Sequence, residues 1–297
     1  MSLPNFLVIG AAKSGTTALH HYLQQHPQVY MTPEKETNFF AFIGEDLQFQ
    51  GPGDAEINRF SITHFEDYAA QFAAVTDEIA IGEACPLYLY HPKAPERIQA
   101  NIPNAKLIVI LRSPVERAYA NFLHLVRDGR EPHENFAHAL KEEPQRIQEN
   151  WEWFWHYRQQ GFYAMQLQRY CDRFPSDQLK IYLYEDLIQT PQTLLQGIFH
   201  YLEVDASFKP NMTIRPNKSG MPKNRLMHQI LTQPNPLKSI LKPLFPAHLR
   251  QKIQHQNLGK PQISPEVRQS LAALYQEDIL RCQDIIQRDL TAWLTTA

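Results

Sequence analysis

The sequence predicts an α/β fold with a central, mostly parallel sheet, and three observations predict it. Apolar runs of strand length recur, they alternate with stretches of helical period, and the first run passes at once into a glycine-bearing loop that opens a helix. The runs are NFLVIG at 5–10, QVYM at 28–31, IAIGE at 79–83, KLIVILR at 106–112 and LKIYLYE at 179–185. They are apolar without alternation, so both faces of each strand are buried, as in a parallel sheet covered by helices on both sides.

Between the strands, 16–25, 92–100, 114–128, 133–149, 158–173 and 190–203 read as helices. Pro114 sits at a first helical position, and Phe174-Pro175 stops the helix before the last strand. Residues 204–262 are rich in Pro, Asn and Lys and read as long ordered loops around short helices. The basic, apolar part of that region, 237–252, reads as a packed surface helix rather than a membrane or partner contact. Helical period returns over 264–294, with Leu271, Leu274, Tyr275, Ile279, Ile285 and Ile286 on one broad face. No repeat divides the chain, so residues 1–297 are expected to form one domain with a loop-rich and helical C-terminal part from about 204.

Composition narrows the function. An apolar content of 43% in 297 residues supports a conventional core and excludes a disordered chain. The net charge of −2 argues against nucleic acid or an extended polyanion as partner, while leaving room for a local basic pocket. Cys85, Cys171 and Cys282 match neither a zinc site nor a disulfide framework and read as reduced thiols, which fits a cytoplasmic protein. No charged leader precedes the first apolar run, and no run approaches the roughly 20 apolar residues of a membrane span, so a transmembrane segment is not expected.

The loop GAAKSGTT carries the chemistry. Gly10 and Gly15 have the spacing of a phosphate-binding loop, but Thr16 stands where the lysine of an ATP site belongs, and Lys13 lies inside the loop instead. Backbone N–H groups and the positive end of the helix from Thr16 converge there, which selects an anion. The strand KLIVIL ends in Arg112 rather than a metal-binding acid, so the Mg²⁺ machinery of a nucleotide kinase is missing. A donor that presents one phosphate and transfers its group without a metal fits better than ATP.

GAAKSGTTAL resembles the 5′-phosphosulfate loop of the sulfotransferases that use 3′-phosphoadenylyl sulfate (PAPS), and LRSPVERAYANF resembles their 3′-phosphate motif. KETNFF, GFYAMQLQRYCDRFP, LYEDL and NKSGMPKN extend the likeness over most of residues 5–225, closer to the heparan-type branch than to the cytosolic small-molecule branch. The resemblance implies PAPS as co-substrate, 3′,5′-adenosine diphosphate (PAP) as product and no metal. It implies a P-loop-like strand-loop-helix in which Lys13, Ser14, Gly15, Thr16 and Thr17 hold the 5′-phosphosulfate, Arg112 and Ser113 the 3′-phosphate, and Lys218, Ser219 and Gly220 close over the cofactor.

Lys13 is also catalytic on this reading, because charge develops on the leaving phosphate and a mobile ammonium can follow it. Glu36 takes the place of the heparan-branch base, and parallel strands 5–10 and 28–31 would deliver Lys13 and Glu36 to one sheet edge. A salt-bridge carboxylate is the other reading of Glu36, and Glu34 is its weaker rival. None of the thirteen histidines falls in a motif; His20, His21, His64 and His91 read as packing or surface residues. Arg117 reads as a structural ion pair, and Glu83 and Glu185, each ending a strand, as carboxylates that hold loops. The aromatic cluster at 151–163, with Trp151 and Trp155 on one helical face, reads as core in preference to an acceptor pocket.

The family places a serine eight residues after the arginine, where this chain has Ala120, so Ser113, Asn121 or the 218–220 loop must supply the missing donor. The acceptor is expected to be a hydroxyl, or less favourably an amine, on a lipid, small metabolite, saccharide or carrier-tethered β-hydroxyacyl chain. Two other classes stand beside the transferase: a P-loop kinase, and a non-catalytic module that binds nucleotide or carrier protein.

Overall fold

A computed structural model describes residues 2–213, 221–222, 258–259 and 262–295. Five strands form one parallel sheet: β1 (Phe6–Gly10), β2 (Val29–Met31), β3 (Ala80–Ala84), β4 (Lys106–Leu111) and β5 (Leu179–Leu183), in the order β2-β3-β1-β4-β5. All five expected strands are present. β3 lies between β1 and β2, so the loops leaving β1 and β2 share an edge although the two strands do not touch.

Successive strand residues face opposite sides, and the apolar runs therefore feed two cores. Leu7, Ile9, Leu107, Val109 and Leu111 pack into the larger one. Phe6, Val8, Ile108 and Ile110 meet Leu19 and Leu23 of α1 (Thr16–Leu23) and Leu194, Ile198 and Phe199 of α11 (Pro191–Tyr201). Every one of these strand side chains is fully buried, which is why the runs carry no polar alternation.

α6 (Ala94–Asn101), α7 (Pro114–Arg127) and α8 (Phe136–Gln148) lie close to the expected ranges. The expected helix 158–173 begins only at α9 (Tyr163–Cys171), because the Asp278 carboxylate accepts from the Ala164 N–H and fixes that end. Asp278 belongs to α12 (Pro265–Ile286), the C-terminal helix that packs along α9. On α12, Leu271, Tyr275 and Ile279 are buried, Ile285 and Ile286 flank the core, and Leu274 turns to solvent.

The strand expected to reach 185 stops at Leu183. Asp186 accepts from the Leu183 N–H at 2.9 Å, turning the chain into α10 (Tyr184–Gln189), so Glu185 is helical and accepts from the Trp293 indole at 3.1 Å. Four short helices lie where the sequence reading assigned none: α2 (Phe39–Phe42), α3 (Asp54–Phe60), α4 (Phe65–Ala70) and α5 (Leu87–Tyr90). β6 (Met221–Pro222) pairs antiparallel with β7 (Leu258–Gly259), and β6 lies against α7. The expectation for 237–252 falls outside the described residues. Cys85 and Cys282 are buried and Cys171 exposed, all three as free thiols.

Candidate active site

The β1–α1 loop is shaped by two glycines. A Cβ on Gly10 would meet the Leu89 Cβ at 2.6 Å, and Gly15 adopts φ +96 with Leu187 2.6 Å from where its Cβ would be. Any larger residue at either place would push the loop out of its turn. Between them Lys13 stands at φ +63, and across the sheet edge Glu36 stands at φ +66. Left-handed backbone costs an ordinary residue about 1–2 kcal/mol and concentrates at functional sites.

Lys13 and Glu36 line one cavity of about 970 Å³ together with Gly15, Thr16, Thr17 and Arg112. Burial, reinforced by the Arg127 charge, brings the Lys13 ammonium down from 10.5 to about 8, against the opposing pull of Glu36 and Asp128. Lys35 forms an ion pair with Glu36. The Glu36 N–H donates to the Ala84 carbonyl at 3.0 Å, and the His20 ring donates to the Thr32 carbonyl at 3.4 Å, so β3 and α1 both brace the loop that carries Glu36.

Arg112 donates to the Lys13 carbonyl at 3.2 Å and lies over the Tyr184 ring at 4.8 Å. Its own carbonyl accepts from the Tyr163 hydroxyl at 3.0 Å. Another part of the lining is different in character. Ile57 and Phe60 of α3, Leu123 of α7 and Phe154 supply apolar wall, and Arg130 is a lining residue with them. Arg130 is matched by Asp54 and by Glu152 at 2.9 Å, and burial pushes Glu152 up to about 7.

The sulfotransferase family profile matches residues 4–209, which is more than half of the chain. The chain belongs to the sulfotransferase family. A solved sulfotransferase from Alicyclobacillus acidocaldarius is 32% identical, with a TM-score of 0.80 over 99% of this chain and 100% of that one. Among curated relatives, the membrane-associated sulfotransferase kil1 of Dictyostelium discoideum is 36% identical over 149 residues, 48% of this chain and 28% of its own length. The human bifunctional heparan sulfate N-deacetylase/N-sulfotransferase 3 is 29% identical over 208 residues, 68% of this chain and 22% of its own. The chain thus spans about a quarter of the length of these curated relatives. No helix among the described residues is long and apolar enough to cross a membrane.

Of the site residues expected from the sequence, six share the cavity: Lys13, Gly15, Thr16, Thr17, Glu36 and Arg112. The Ser14 side chain is fully buried beneath the loop, and its N–H donates to the Ala11 carbonyl at 3.3 Å. Ser113 is the residue before α7 and Ala120 lines the cavity, while Asn121 is buried with its amide given to the Phe154 carbonyl at 2.5 Å. Asn121 is therefore structural. Lys218, Ser219 and Gly220 lie outside the described residues.

Arg117 is no ion pair of the kind expected: fully buried, it donates to the Tyr157 carbonyl and, at 3.5 Å, to the Gln160 side chain, because α7 turns it into the protein rather than toward solvent. Glu83 holds a loop, accepting from the Thr37 hydroxyl at 3.1 and 3.0 Å, and burial lifts it to about 7. Trp155 is core, as read, and Trp151 packs against the core, but Phe154, next to Trp155, lines the cavity.

Sequence reading missed His124, which lines the cavity one turn beyond Ala120 on α7. An i, i+4 count from Ala120 would have found it. Burial first and the Lys13 charge second push its imidazole down to about 3, so it is neutral. Arg127 donates to Nδ1 at 2.6 Å, which leaves the proton on Nε2, 3.5 Å from Asp128. Nδ1 accepts from Arg127 and Nε2 carries the proton, so neither offers a lone pair to an incoming hydroxyl.

Proposed function

We propose that this sulfotransferase moves a sulfuryl group from PAPS to an acceptor hydroxyl, with Glu36 as base and Lys13 on the leaving phosphate. The observation that carries the reading is the meeting of Lys13 and Glu36, both on left-handed backbone, in one cavity with the N-terminus of α1. Glu36 takes the hydroxyl proton as the acceptor oxygen bonds to sulfur and the bond from sulfur to the bridging phosphate oxygen breaks. Lys13, with N–H and hydroxyl donors of Gly15, Thr16 and Thr17, receives the charge that accumulates on the 5′-phosphate. Arg112 holds the 3′-phosphate end, with Lys218, Ser219 and Gly220 assigned by resemblance to closing over it. We assign no metal to the step, since protein cations take the role Mg²⁺ has in kinases.

On the acceptor side we favour a hydroxyl on an uncharged, apolar molecule such as a lipid over a long polyanionic saccharide. Ile57, Phe60, Leu123 and Phe154 support this, and so does Arg130, which already faces two carboxylates. Small metabolites, simple saccharides and carrier-tethered β-hydroxyacyl chains complete the acceptor set to be screened. We read the chain as one domain of a cytoplasmic protein, in keeping with its reduced cysteines.

A screen of acceptors with labelled PAPS, read by mass spectrometry, tests the activity. Glu36→Gln is expected to lower turnover by about 10²–10⁴-fold with PAP affinity retained. Turnover at the wild-type rate would remove Glu36 as base, and PAP binding without transfer to any acceptor would make the chain a binding module.

A further inference from the structure

We infer that Arg268 is a binding residue for the donor's 3′-phosphate and supplies the contact that Ala120 lacks. The inference rests on the donor reading above and goes beyond it in naming a residue far outside the recognised motifs.

α12 brings Arg268 to α7, where its Nη2 lies 2.6 Å from Glu116 Oε1. The other oxygen of the same carboxylate lies 3.6 Å from Arg112 Nη2. Two guanidiniums, 156 positions apart in the chain, thus converge on one anionic group. That group lines the cavity, as does Ala120, which follows Glu116 by four residues and so shares its face of α7. The side chains of Arg112, Arg268 and Glu116 are 20%, 25% and 36% exposed, so none is sealed in the core; Arg112 and Glu116 line the cavity, and Arg268 meets its wall through Glu116.

The arrangement is an anion clamp with an internal carboxylate in its seat. A partly exposed carboxylate pair contributes little, about 0–1 kcal/mol. A phosphate dianion offers three oxygens to two planar guanidiniums and can take two bidentate contacts. Exchange therefore favours the phosphate, with Arg268 turning from Glu116 to the ligand. A serine at 120 would have given one neutral hydroxyl at the same place; Arg268 gives a charge-assisted fork.

Calorimetric titration with PAP and with 5′-AMP, which lacks the 3′-phosphate, tests this. Wild type is expected to prefer PAP, and Arg268→Ala to lose about 10- to 100-fold in PAP affinity while 5′-AMP binds as before. Adding Ala120→Ser to Arg268→Ala is expected to restore part of the preference. A purely structural tie between α7 and α12 would lower thermal stability and leave the ratio of the two affinities unchanged, and that result would overturn the inference. Arg268→Lys keeps the charge and loses the fork; it is expected to bind PAP with intermediate affinity, and it decides the question if the alanine variant does not fold. Wild type without preference for PAP over 5′-AMP would instead overturn the donor reading, and this inference with it.

Discussion

Among the residues that line the cavity, Lys13, Gly15, Thr16 and Thr17 arrive from a single short stretch and are joined by Arg112 just after a neighbouring strand, whereas Ile57, Phe60, Leu123, Arg130 and Phe154 come from four separate parts of the chain. The first group presents backbone donors and cations, and the second presents apolar side chains and a guanidinium already matched by Asp54 and Glu152. On the proposed function, the contrast follows from what each group has to recognise. A phosphosulfate has one shape and needs a fixed set of donors, which a turn of fixed backbone can supply. An acceptor is recognised by the shape of a wall, and a wall can be assembled from any elements that meet.

The largest expected effect tests whether Arg130 belongs to the wall or to the recognition of anions. Arg130→Met leaves Asp54 and Glu152 buried without their cation and should cost about 3–5 kcal/mol in stability, read from urea unfolding. A loss of acceptor affinity at unchanged stability would instead make Arg130 a ligand contact.

Next comes the loop that carries Lys13. Lys13→Ala is expected to cost about 10²–10³-fold in turnover, measured by single-turnover transfer from labelled PAPS, and normal turnover would sink the proposed mechanism. The ammonium titrates near 8 in the free protein, so its charge is present below that pH and is lost as pH rises through about 8. The kcat/KM profile should therefore fall on the alkaline side, and Lys13→Arg should remove that limb, since a guanidinium stays charged.

The smallest effect probes the wall itself. Phe60 is 48% exposed and lines the cavity, so Phe60→Ala forfeits about 1 kcal/mol of apolar contact, roughly a fivefold rise in KM for an apolar acceptor. PAP affinity should not change, and a change there would blur the distinction between the two groups.

Legibility in the sequence tracks the same contrast. Lys13, Gly15 and Thr16 are readable because a glycine loop between a strand and a helix has one backbone solution, and Arg112 because it ends an apolar run. Glu36 is reachable through parallel strand logic. His124 escaped because nothing local distinguishes it from the other twelve histidines; its place depends on which face of α7 turns to the cavity. α3 escaped because DAEINRF is too short to show a helical period. Arg117 was misjudged for a related reason: a charged residue inside a helix was taken to meet a carboxylate, whereas packing buries it against a carbonyl and an amide.

The sequence by itself determined the parallel sheet and the glycine loop that opens α1, since each is written in a run of adjacent residues whose backbone geometry is nearly forced. Only the tertiary structure decided what stands opposite that loop. It set β3 between β1 and β2, capped α9 from α12, turned Phe154 and His124 inward and carried Arg268 to Glu116. Those placements depend on how helices distant in sequence pack over the two faces of the sheet, and such packing leaves no periodic trace in the chain.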